Sequence, residues 1–253
     1  MLNASEIRRG FVRAFAGLLL GLGISAAPAA AGEPVTVVEL FTSQGCPSCP
    51  SADAFLGELA DRDDVLALSL HVDHWNFMGW QDPFASELFS ARQQRYLNQH
   101  GLPYVYTPQI VVDGVFQASG NKPLTVLAGI EQARATSDER FEIQLDRISD
   151  TQVRVRIPDV PARYRGEAEL VLVRFDDKHV TEVTKGENRG RTIVNHHVVR
   201  LMRPVARWNG APVDVVVSLQ DIAGAAPAYC AVFLQERGQR RILGAAMVDM
   251  RGS

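Results

Sequence analysis

Val35 to Phe41 is a near-continuous apolar run that leads, through the loop Thr42 to Gly45, into Cys46-Pro47-Ser48-Cys49 and a helical pattern continuing to Leu59. A run this short and this apolar reads as a buried strand, and the pattern after it as a helix. The chain must therefore turn from the end of a buried strand into a helix within a few residues. Both cysteines stand at that junction. If Cys46 opens the helix, its sulfur faces unpaired backbone N–H groups and the positive end of the dipole, which stabilise a thiolate. Cys49, one turn later, is near enough to resolve a mixed disulfide. Pro47 fits the first turn, where its missing N–H costs nothing, and Pro50 is tolerated in the same turn.

A Cys-x-x-Cys at a strand-to-helix junction admits three chemistries: a dithiol–disulfide couple, a metal site, or an inert structural bond. Placement favours the couple. The metal alternative draws on His71, Asp73 and His74 at the C-terminal end of the second strand, the end of a parallel sheet where ligands gather. Cys46, Cys49, His71 and His74 together would suit copper(I) or zinc. Against it, neighbours on a strand point to opposite sides, and no second cysteine pair is present. A resident metal and a cofactor are both left out of the leading expectation.

Up to about Ala135 the chain alternates short apolar runs with helical segments. Val65 to Val72 is a second buried strand. Asp82-Pro83 has the form of an N-cap followed by proline in the first helical position, opening a helix to about Asn98 that Gly101 stops. Gln109 to Val112 and Val115 to Ala118 flank Asp113-Gly114, which supplies the positive φ angles of a tight hairpin turn. A last helix runs from about Pro123 to Arg134. From Phe141 onward the pattern is nearly all short alternating runs: Phe141 to Arg147, Gln152 to Ile157, Ala168 to Phe175, His179 to Lys185, Ile193 to Leu201, Val213 to Leu219, Tyr229 to Gln235 and Arg241 to Val248. Repeated half-buried strands of this kind argue for a sandwich.

The composition agrees with two cores. The chain has 253 residues, 46% hydrophobic and 22% charged, with only three cysteines. That excludes a disordered, collagenous or disulfide-dense chain. Arg8, Arg9 and Arg13, an apolar run from Ala14 to Ile24 and small residues up to Ala31 make an export signal over residues 1–31. The run is well short of the roughly 20 residues needed to cross a bilayer. Arg8-Arg9 also fits a twin-arginine signal. Cleavage makes the formal charge of -3 more negative by two, because the leader carries three Arg and one Glu. A mildly acidic chain has no electrostatic footprint for nucleic acid. The expectation is a periplasmic or secreted protein, not inserted in the membrane once cleaved, of open oligomeric state, in a compartment that permits disulfides. Its domains are expected at residues 33–137 and 138–253.

Phe41-Thr42-Ser43-Gln44-Gly45-Cys46-Pro47-Ser48-Cys49 resembles the approach to a glutaredoxin active site, and Thr107-Pro108-Gln109-Ile110-Val111-Val112-Asp113-Gly114 resembles its cis-proline strand and turn. The order strand, helix, strand, helix, strand, strand, helix is that of the thioredoxin and glutaredoxin core. The mature chain as a whole is similar to the domain of unknown function 1223 family of secreted thioredoxin-like proteins. Val38 to Asp53, His71 to Phe84, Tyr106 to Gly114 and Gly186 to Arg191 carry that likeness. It implies a thioredoxin-like α/β domain followed by a smaller all-β, sandwich-like domain, and a cis bond at Thr107-Pro108 facing the cysteines. Where thioredoxins carry a buried acid on the strand before the cysteines, this chain has Leu40 with Glu39 beside it. In place of the glutaredoxin Gly-Gly it has Ser119-Gly120-Asn121.

The functional expectation is a thiol–disulfide oxidoreductase acting on a protein or small-molecule thiol or disulfide. Cys46 attacks, Cys49 resolves, and Thr107 and Pro108 position the partner. Trp75, Phe77, Met78 and Trp80 form an aromatic cluster in which Trp75 and Trp80, with Thr107, are the expected substrate wall; aromatic residues at such spacing are also ordinary core. Cys230, among Ala228, Ala231 and Val232, reads as a buried inert thiol. His196 and His197 are adjacent and face opposite sides. Gly186 to Arg191 reads as a charged hairpin whose arginines are free to contact the first domain or a partner. A binding protein whose Cys46–Cys49 bond is merely structural is the remaining alternative.

Overall fold

Strand β1 (Thr36–Thr42) and strand β2 (Val65–His71) are buried along their whole length and pair in parallel, from Thr36 opposite Val65 to Thr42 opposite His71. A parallel pair requires a crossover, supplied by helix α1 (Pro50–Ala60). Strand β3 (Gln109–Val112) joins the other side of β1 antiparallel, and β4 (Phe116–Ser119) completes the hairpin as the sheet edge. The turn between them has φ of 46° at Asp113 and 72° at Gly114, as the Asp-Gly pair predicts. Gly114 is also fixed by space: a Cβ there would lie 2.1 Å from the Arg240 carbonyl oxygen. Helix α3 (Pro123–Ala135) follows. In this computed structural model residues 35–135, 140–160, 166–219 and 228–251 are described, and all belong to a unit spanning Gly32–Ser253. The expected leader over residues 1–31 and the expected boundary at residues 136–139 lie outside them.

Helix α2 (Glu87–His100) starts later than the Asp82-Pro83 signal suggests. Its N-cap is Ser86, whose hydroxyl accepts from the Leu88 N–H, and Gly101 at φ 62° ends it. Asp82 caps only an isolated turn: its Oδ1 accepts from Phe84 N at 2.9 Å and its carbonyl from Ala85 N at 3.2 Å, while Oδ2 accepts from Gln44 N at 2.7 Å, and the extended backbone of Ser86 separates that turn from α2.

Beyond the first helices, β5 (Gln144–Ser149), β6 (Gln152–Ile157) and β9 (Val213–Ser218) form a three-stranded antiparallel sheet. The remaining strands are β7 (Ala168–Glu182), β8 (Thr192–Trp208), β10 (Tyr229–Glu236) and β11 (Ile242–Asp249). They do not make a sheet of their own. They extend the first one, giving the order β11-β10-β7-β8-β2-β1-β3-β4, with β8 beside β2 in parallel at Ser69 and Val198. The two runs expected at Ala168 to Phe175 and His179 to Lys185 are one long strand. The protein is thus mixed α/β, with a large mixed sheet and a smaller antiparallel one. The smaller sheet packs against β7 and β10 through a common core, and those two strands belong to the large sheet shared with the α/β part.

The sequence of β10 explains the sharing. Its alternate residues serve two cores at once: Ala231 and Phe233 pack with Phe41, Leu66, Leu68 and Leu70, while Cys230, Val232 and Leu234 pack with Val153, Val155 and Trp208. Strand β7 does the same through Val171, Val173 and Phe175 on one face and Leu170 and Leu172 on the other. Strands apolar on both faces belong in a sheet interior, not at an edge. A third core joins α1 and α3 to the sheet through Leu40, Leu56, Leu59, Ile110 and Ile130.

Glu39 of β1 lies on the α2 side, where Arg92 Nε and Nη2 reach its carboxylate at 2.5 and 2.9 Å and the Tyr96 hydroxyl donates to it at 2.5 Å. Arg92 Nη2 also donates to Gln235 Oε1 at 3.0 Å, tying β1, α2 and β10 together. Glu39 is therefore a structural acid, turned away from the α1 face.

Candidate active site

The loop after β1 is built by short backbone contacts: Gly45 N donates to Ser43 Oγ and Cys46 N to the Ser43 carbonyl, both at 3.1 Å. Cys46 and Cys49 form a disulfide with Cα atoms 5.4 Å apart. Pro50 takes the first helical position, so Cys49 is the N-cap and its carbonyl accepts from Ala52 N and Asp53 N. Cys46 accordingly stands one turn ahead of α1 rather than in its first turn. Pro47 and Ser48 form an exposed turn between the cysteines.

The Thr107-Pro108 bond is cis. Thr107 Oγ1 donates to Cys46 Sγ at 3.2 Å and accepts from Trp75 Nε1 at 2.7 Å. The structure therefore brings Cys46, Cys49, Thr107, Pro108 and Trp75 together. The Trp80 Nε1 instead donates to Gln44 Oε1 at 3.2 Å. Both indoles are half-buried, whereas Phe77, in the one-turn 3₁₀ helix Asn76–Met78, is 81% exposed. Cys46 and Cys49 are each 0% exposed. Any partner sulfur must displace part of this cover to reach them.

Behind the pair, on the α1 face, lies a buried polar group that sequence reasoning missed. Asp53 follows Cys49 by four residues, which places both on one helix face. It is buried, and its Oδ1 accepts from the Thr42 hydroxyl at 2.8 Å. Burial pushes its carboxyl up to about 7, against the opposing pull of His71 and the Thr42 bond. His71, opposite Thr42 in the β1–β2 ladder, is fully buried with Nδ1 2.7 Å from Asp82 Oδ2. Burial also acts to raise Asp82, but His71 and the amides of Gln44 and Phe84 outweigh it and hold the carboxyl low. Asp53 Oδ2 and His71 Nε2 are both buried without a hydrogen-bond partner.

The expected alternative metal set is not assembled as expected. The two sulfurs are bonded to each other, and His71 is turned to Asp82. His74 is half-buried beside Trp75, and burial lowers its pKa. Among the described residues no group of three or more His, Cys, Asp or Glu side chains is placed to hold a metal ion. Cys230 is free and buried, its thiol pushed up to about 12 by burial. His197 faces the Ala67 carbonyl at 3.0 Å, and the His196 ring lies against Gly57 of α1.

A second unexpected set comes from the far end of the sequence. The long β7–β8 hairpin reaches the cysteine loop, and Asn188 at its tip donates through Nδ2 to the carbonyls of Gln44 and Cys46 at 2.9 and 2.8 Å. Gln44 Nε2 donates to Thr181 Oγ1 and Asn195 Oδ1 at 3.0 and 2.9 Å. The expected contact of the Gly186 to Arg191 segment with the first half exists, but Asn188 makes it; Arg189 and Arg191 are exposed.

A family model for a protein of unknown function, DUF1223, matches residues 37–235. The chain belongs to the DUF1223 family. A crystal structure of protein AGR_C_4864 from Agrobacterium tumefaciens is similar to this DUF1223 protein at 30% identity and a TM-score of 0.76, over 88% of this chain and 98% of that one. HBP35 of Porphyromonas gingivalis is similar in fold, with a TM-score of 0.61 at 14% identity over 86% of this chain and 75% of that one. No curated protein matches the chain.

Proposed function

We propose that this DUF1223 protein is an exported thiol–disulfide oxidoreductase whose first part is thioredoxin-like, acting in the periplasm or outside the cell on protein or small-molecule thiols. The observation that carries the proposal is the Thr107 hydroxyl on Cys46 Sγ, held there by Trp75 and placed beside a cis proline at the strand-to-helix junction. A hydroxyl donor is of little use to a disulfide sulfur but strengthens markedly toward a thiolate. Cys46 is thus the sulfur prepared to carry charge.

The chemistry balances with the residues present. A substrate thiolate attacks Cys46 Sγ, a substrate–Cys46 bond forms, the Cys46–Cys49 bond breaks, and Cys49 leaves with the electron pair. Asp53, one turn along α1 and titrating near neutrality, gives its proton to the Cys49 thiolate. A second substrate thiolate then attacks the substrate sulfur of the mixed disulfide and releases Cys46 as thiolate. The substrate has lost two electrons to the pair; the reverse sequence reduces a substrate disulfide. Trp75, Trp80 and Thr107 form the wall against which the partner docks.

Cys46→Ser is expected to abolish disulfide exchange with a model dithiol peptide while leaving the fold intact, and Cys49→Ser to accumulate the mixed disulfide on Cys46. Exchange that survives Cys46→Ser contradicts the proposal. The burial of both cysteines favours a second reading, a structural bond, which predicts that the native pair resists glutathione altogether.

A further inference from the structure

We propose that Asn188 is a positioning residue of the cysteine pair, delivered by the β7–β8 hairpin to hold the Cys46 loop in the geometry in which the disulfide closes. The inference rests on the redox reading of the pair and gives the C-terminal strands a part in it.

Three observations support the assignment. Asn188 is 1% exposed, and its single Nδ2 group serves the carbonyls on both sides of Gly45. Two carbonyl partners fix the amide orientation, since the opposite flip would set oxygen against oxygen. The tip that carries it is self-bonded: Gly190 N donates to the Val183 carbonyl, Val183 N to the Arg191 carbonyl, and Arg191 N to the Asn188 carbonyl. Gly186, at φ 72°, lets the tip press on the aromatic wall, where a Cβ would come within 3.0 Å of Met78 O and Trp80 Cβ. Finally, the loop is gripped at a second point on the same hairpin, because Gln44 bonds both Thr181 of β7 and Asn195 of β8.

A loop held in this way has lost its conformational freedom before the sulfurs join. Closing the pair forms one S–S bond and releases two protons and two electrons, which the disulfide of the redox buffer accepts on being reduced to thiols. Without the clamp the reduced loop regains freedom that closure must remove again, so the dithiol form gains. Two neutral hydrogen bonds and one loop's ordering set the expected size at about tenfold in the equilibrium constant.

The test equilibrates the mature full-length protein at pH 7 with mixtures of reduced and oxidised glutathione, or of dithiothreitol where the pair proves more reducing, then counts free thiols by alkylation and mass. Asn188→Ala is expected to shift the equilibrium about tenfold toward the dithiol. Asn188→Asp, the same size but unable to donate when ionised, is expected to shift it at least as far, and Arg189→Ala on the exposed side of the tip to leave it unchanged. Circular dichroism confirms folding, and if Asn188→Ala does not fold, Asn188→Ser provides the comparison. A folded Asn188 variant within twofold of wild type overturns the proposal, as does an equal shift in Arg189→Ala. The equilibrium needs no turnover: a tenfold shift in a protein that exchanges with no substrate keeps the clamp and discards the oxidoreductase, and an unchanged equilibrium in an active one does the reverse.

Discussion

Substituting Asp53 by asparagine keeps the shape of a buried side chain and its bond to Thr42 but removes the ionisable group. In the unfolded chain the carboxyl titrates at its ordinary 3.8, whereas in the folded protein burial raises it to about 7. The folded state therefore holds a proton that the unfolded state has lost at every pH between these values. Stability falls with pH in that window, by about 1.4 kcal/mol per unit. The contribution is fully present below 3.8 and gone above 7, about 4 kcal/mol in all over roughly three units. The asparagine amide cannot titrate, so Asp53→Asn should match wild type near pH 4 and exceed it by up to about 4 kcal/mol at pH 8. Urea unfolding of the oxidised protein at pH 4, 5.5, 7 and 8 measures the difference directly. Carboxyls held low away from Asp53, such as Asp64 beside Arg62, change stability in the opposite sense but equally in both proteins. A difference that stays constant with pH would refute the argument, because Asp53 would then ionise normally inside the fold.

Two further outcomes follow from packing and cover. Phe233→Ala empties a fully buried site in the core shared by both halves and should cost about 3–5 kcal/mol, with one unfolding transition seen alike by thiol exposure at the cysteine loop and by fluorescence of the second-core Trp208. Two separated transitions would show that the halves unfold independently. Trp75→Ala removes the indole that holds the Thr107 hydroxyl over Cys46 and should speed reduction of the pair by dithiothreitol about tenfold, because exchange rate follows access to the attacked sulfur. An unchanged rate would mean that Trp75 does not cover the attacked sulfur.

The elements that were legible in the sequence are those set by local pattern. The β1 and β2 runs, the Asp113-Gly114 hairpin and the spans of β6 and β10 are fixed by apolar periodicity and turn chemistry over a few residues. Asp82-Pro83 misled because a capping signal is local: Asp82 caps the single turn 82–85, and the extended backbone of Ser86 breaks the helix off before α2 begins. The sharing of one sheet was partly visible in the unbroken apolar stretch of β10, which suits a strand buried on both faces. Of the site, Cys46, Cys49, Thr107, Pro108 and Trp75 are legible in the sequence and lie together. Asp53 could have been found from its four-residue spacing after Cys49. The Gly186 to Arg191 segment pointed to the first half through its arginines; that Asn188, and Asn195 beyond it, make the contacts could not be read, since nothing near them in sequence records a partner more than 140 residues away.

The central claim is that Cys46 and Cys49 form a redox couple, and its most direct test is the reduction potential of the pair in the metal-free mature protein, obtained by equilibration with glutathione buffers and alkylation of free thiols. The account predicts a value between roughly -270 and -120 mV, the span of working oxidoreductases. A value below about -300 mV, where structural disulfides lie, would contradict it.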